Sequence, residues 1–116
     1  MKDILTPISP GELLDKITIL EIKSEQISDP EKLKNVRYEL EQMKAVQKAS
    51  FSLDSELESL FSSLKKINQE LWVIEDDIRE CERQQDFGPD FVRLARRVYV
   101  TNDKRSNVKR DINEVL

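Results

Sequence analysis

The chain has 116 residues, 36% of them charged and 38% hydrophobic, which fits a single folded domain with its own core and not a disordered segment. Nineteen basic residues against 23 acidic ones leave a net charge of −4, which argues against a dedicated DNA-, RNA- or anionic-membrane-binding surface. There is no His, one Cys and two Gly, so the usual acid–base and nucleophile sets and the Gly-rich phosphate loops are missing.

Start signals divide the chain into four helices. Ser9, Pro10, Gly11 and Glu12 provide an N-cap serine, a proline at the first helical position and the glutamate of a capping box, with Ile8 and Leu13 at the staple positions. The first helix is therefore expected over about 10–27. Ser28, Asp29, Pro30 and Glu31 repeat the signature, with Ser28 or Asp29 as cap, and start a second helix over about 30–49 on Leu33, Val36, Leu40 and Met43. After a break at Ser50 to Leu53, a third helix runs over about 54–85. Leu57, Leu60, Leu64, Ile67, Leu71, Ile74, Ile78 and Cys81 alternate steps of three and four there, forming one heptad seam. Cys81 sits on that seam as a small hydrophobe. Phe87, Gly88 and Pro89 end it, and a fourth helix is expected over about 89–115, with Phe91, Leu94, Val98, Thr101, Arg105, Val108, Ile112 and Val115 as its seam.

Short connections make consecutive helices antiparallel, so the expected architecture is all-α: an up-down four-helix assembly in one domain, with a long coiled-coil-like hairpin of helices three and four. The first two helices span roughly 30 Å and the third roughly 45 Å at about 1.5 Å per residue. Part of the long hairpin must then project beyond the others or be covered by a second chain. The run Leu71, Trp72, Val73, Ile74 is apolar all round the helix, which predicts burial on more than one side.

Turning at Phe87, the hairpin pairs Ile74 with Val98, Leu64 with Val108 and Leu60 with Ile112, and sets Ile67 and Asn68 against Arg105. Residues 54–82 carry nine acids and three bases, whereas residues 90–110 carry two acids and seven bases. That asymmetry predicts ion pairs within the hairpin, with Arg96 and Arg97 near Glu75, Asp76 or Asp77. Thr101 and Arg105 interrupt an apolar seam, and an Arg so placed pairs with an acid or grips an anionic ligand. Asp15, Lys16, Glu75, Asp76, Asp77, Tyr99, Thr101, Asn102 and Arg105 are the candidate constellation. It reads first as a structural ion-pair network. The alternative is an acidic interhelical site holding Mg²⁺ for a phosphorylated or sugar-nucleotide ligand, with Glu12, Asp15, Asp77 and Glu80 as candidate metal ligands at Glu-x-x-Asp and Asp-x-x-Glu spacing. Such spacings are common in any charged helix.

The segments Gly11 to Lys23, Asp29 to Lys32, Leu71 to Glu80 and Val98 to Arg105 resemble one family of small helical bacterial proteins classed as a domain of unknown function. The resemblance covers nearly the whole chain. It implies a context beside glycosyltransferases and cell-surface polysaccharide genes, but no catalytic residues, and it implies that the polar residues of the four segments form one site. The expectation is a non-enzymatic helical interaction or accessory protein that needs no cofactor and either binds a protein partner or self-associates as a homodimer. No stretch approaches the roughly 20 apolar residues of a membrane span, and the N-terminus lacks a signal-peptide run, so the expected location is the cytoplasm.

Overall fold

The computed structural model describes residues 2–116 and contains four α-helices: α1 (Pro10–Gln26), α2 (Pro30–Ser50), α3 (Ser55–Arg83) and α4 (Pro89–Val115). Their starts follow the capping chemistry. Ser9 Oγ accepts from the Glu12 amide at 3.2 Å, Asp29 from Glu31 at 3.2 Å and Asp54 from Leu57 at 2.9 Å. Asp29, and not Ser28, is thus the cap of α2. α3 stops two residues short of the expected end. Gln85 takes a left-handed conformation (φ 54), and the amides of Gln85 and Asp86 turn back to the carbonyls of Glu82 (3.1 Å) and Cys81 (2.9 Å), a closure that satisfies the last free carbonyls of the helix.

All eight α3 seam residues are buried or half-buried, and so are seven of the eight on α4, with Val115 exposed at the end. The element that organises the core is nevertheless α1. Among the described residues it is the only helix whose backbone comes close to the other three; the α2 backbone comes close to α1 alone. Leu13, Leu14 and Ile17 of α1 are buried together with Leu57, Leu64 and Ile112, and Leu40, Met43, Phe51 and Phe61 close the edges. Gly11 allows the start of α1 to sit directly on α4: a Cβ there would overlap the Lys109 carbonyl oxygen, while the Gly11 amide donates to Asn113 Oδ1 at 2.7 Å.

α1 covers only part of the long hairpin. Between Ile74 and Thr101 the sole buried residue is Leu94, so the tip of the hairpin is a two-helix arm. Burial all round at Leu71–Ile74 does not occur, because only Leu71 and Ile74 point into the core; Trp72 is half-buried and Val73 is 58% exposed. Among the described residues no helix is long and apolar enough to cross a membrane.

Candidate functional site

The apolar stripe of α1 is broken by two polar residues, Asp15 and Thr18, both fully buried. A carboxylate there must be matched by donors, since desolvation without partners is too costly to sustain. It is matched on every side. Asp15 Oδ1 accepts from Asn68 Nδ2 of α3 and from Arg105 Nε of α4, each at 2.9 Å. Asp15 Oδ2 accepts from Arg105 Nη2, and Lys109 Nζ stands 3.6 Å away. Asn68 also donates to Thr18 Oγ1 at 2.8 Å, and Thr18 in turn donates to the Asp15 carbonyl at 2.7 Å. Lys109 bonds Glu12 Oε2 at 2.6 Å. Two carboxylates and two cations balance, and three helices are tied at one level.

Burial pushes the Asp15 pKa up, but the hydrogen bonds from Arg105 and Asn68 and the charges of Arg105 and Lys109 outweigh it, so the carboxyl lies below its ordinary value. Arg105 is correspondingly held charged, chiefly by its bond to Asp15. A general acid or base needs a pKa near the working pH, and Asp15 is shifted away from it. The group is built to remain ionised.

Of the expected constellation, Asp15, Asn102 and Arg105 come together, with Asn102 Oδ1 3.4 Å from Arg105 Nη1; Thr101 is buried on the α4 seam one turn before Arg105. Glu75 is exposed but close enough to add to the field at Arg105. Lys16, Asp76, Asp77 and Tyr99 do not join, and all four are exposed. Lys16 points away from the core face of α1. Asp76 pairs with Arg79 on its own helix at 2.7 Å, and Asp77 lies nine residues past Asn68, about 13 Å along the axis. Arg96 and Arg97 do not reach Glu75, Asp76 or Asp77; among the described residues neither makes an ion pair. The seam residues hold the two helix faces together, and the outward-pointing acids and arginines diverge from it.

Asn68, Thr18 and Lys109 belong to the network without having been assigned to it. Asn68 had a sequence signal, since the hairpin register sets it against Arg105; Thr18 falls one turn after Asp15 on the same face. Lys109 had none. The candidate metal ligands do not form one group. Glu12 bonds Lys109, Asp15 bonds Arg105, Glu80 bonds Arg83, and Asp77 is remote. No cluster of three or more His, Cys, Asp or Glu suited to a metal ion occurs among the described residues. Beside the network lies a cleft of about 170 Å³, lined by Ile19, Ile22, Lys23, Leu71, Trp72 and Glu75 together with Asn68 and Arg105 of the network.

Comparison with protein families, with curated proteins and with solved structures found no match for this chain.

Proposed function

We propose that this protein is a non-enzymatic helical interaction module whose docking element is the outer face of the α3–α4 arm. The observation that carries the reading is the arm itself: 26 residues, 75–100, hold one buried side chain, yet Val92, Val100 and Phe87 stand 53%, 46% and 48% exposed around a broad groove that Arg93, Arg96 and Arg97 border. An exposed apolar patch rimmed by charge is the usual mark of a protein-binding surface. The polar network supports the same reading, because its carboxylates are bonded to cations within the chain and leave little to present to Mg²⁺ or a sugar nucleotide. A cytoplasmic accessory role in cell-surface polysaccharide assembly is the context we assign; its support is the resemblance carried by the four sequence segments.

The test is site-specific photo-cross-linking in cells. A cross-linker at Val100 should give a discrete adduct, and one at the exposed Lys32 of α2 should give none. Equal labelling at both positions, or no adduct at Val100, would reject the arm as a docking element.

A further inference from the structure

Four residues on the outer face of each arm helix have matching spacing in opposite chain directions. Ascending α3, Val73 is followed by Asp76, Asp77 and Glu80 at steps of three, one and three. Descending α4, Val100 is followed by Arg97, Arg96 and Arg93 at the same steps. In an α-helix such a set occupies one face over about two turns. Val73 and Arg97 border one shallow groove on the hairpin, so the two strings flank the same side of the arm. They do not satisfy one another within the chain. Asp76 and Glu80 form ion pairs only with Arg79 and Arg83, and Arg93 only with Asp90, all exposed pairs three residues apart, while Asp77, Arg96 and Arg97 make no ion pair among the described residues. Pairs of that kind contribute little and exchange readily.

From this we infer that the occupant of the arm is a second copy of this chain, packed face to face about a two-fold axis parallel to the hairpin. The inference rests on the docking reading above and names its partner. Charge selects the axis. A two-fold axis perpendicular to the helices would lay α3 on the partner's α3, acid against acid. An axis along the hairpin lays α3 on the partner's α4 and makes all neighbouring helices antiparallel, as in a four-helix bundle. At that register Val73 meets the partner's Val100, Asp76 the partner's Arg97, Asp77 the partner's Arg96 and Glu80 the partner's Arg93. The two-fold repeats each contact, giving six acid–base pairs and two apolar ones from one pattern. The arm thereby completes in the dimer the bundle that α1 leaves unfinished in the monomer.

Charge exchange tests both partner and register. Sedimentation equilibrium of the full chain should show a mass rising with concentration toward twice 13.6 kDa, and added salt should weaken the association by screening the exposed pairs. Asp76→Lys with Asp77→Lys, and separately Arg96→Glu with Arg97→Glu, should each raise the dissociation constant by at least about tenfold, with helicity by circular dichroism unchanged. An equimolar mixture of the two variants should recover the wild-type affinity, because each supplies the charge the other now needs. A wild type that stays at 13.6 kDa into the millimolar range, a dimer indifferent to either double substitution, or a mixture that fails to associate would each overturn the proposal. The cross-linking experiment reports separately: an adduct between Val100 and a different protein, with a monomeric wild type, removes the second copy and leaves the docking element standing.

Discussion

At the scale of single residues, Asp15 shows how a buried charge is kept. Its side chain is 1% exposed and Arg105 28%, so removing either partner leaves the other ionised in a site with little water. Asp15→Asn and Arg105→Met should each cost about 2 to 4 kcal/mol in urea denaturation, and the double variant should cost less than the sum. Additive losses would mean the two side chains are energetically independent. The same carboxyl sets a pH dependence. Its folded pKa lies below the unfolded value of about 3.9, so its contribution is complete above that value and is lost as the pH falls through the folded pKa. The stability gap between wild type and Asp15→Asn should hold from neutrality down to about pH 5 and close at lower pH. A gap that widened on acidification would reverse the sign of the shift.

At the scale of helices, the least comfortable backbone position is Gln85, whose left-handed conformation closes α3 where glycine is the usual occupant. Gln85→Gly should raise stability by about 0.5 to 1 kcal/mol, allowing for the greater freedom glycine has when unfolded; a loss would show that the Gln85 side-chain bond to the Glu82 carbonyl, 3.0 Å long, outweighs the backbone strain. That position also marks a limit of sequence reading. The starts of α1, α2 and α4 were legible because Pro10, Pro30 and Pro89 are local signals with one chemical meaning, although the choice between Ser28 and Asp29 as the cap of α2 was left to the structure. The end of α3 was not, since a non-glycine residue there gives no warning. For the site, heptad phase correctly set Asn68 against Arg105, and both meet at Asp15 Oδ1. It misassigned Asp76, Asp77 and Tyr99, because a seam records which face meets α4 and says nothing of where α1 crosses or stops.

At the scale of the whole molecule, stability must be uneven. The layer around Leu14, Leu64 and Ile112 is closed by three helices, whereas residues 75–100 rest on a two-helix contact. Local opening follows the density of buried contacts. Hydrogen exchange should therefore run at least about tenfold faster for arm amides such as those of Asp77 to Glu82 and Arg93 to Val98 than for Leu14 to Ile22. Dimer formation should slow the arm alone. Uniform protection along α3 in the monomer would show that the arm is as rigid as the core.

The central place of α1 has a consequence for biosynthesis. The ribosome makes α1 first, yet its partners on α4 lie far along the chain: Asp15 waits for Arg105, 90 residues later, Glu12 for Lys109, 97 later, and Gly11 for Asn113, 102 later. Until then α2 and, once made, α3 can shelter α1, but the side of α1 that faces α4 remains in water and the embedded carboxylate lacks its arginine. Contacts of such long sequence separation carry a large loop-closure cost and slow the approach to the native state. Docking of α1 on α4 thus waits until α4 has been made, and the nascent α1–α2 hairpin is the species on which a chaperone would find apolar surface to hold.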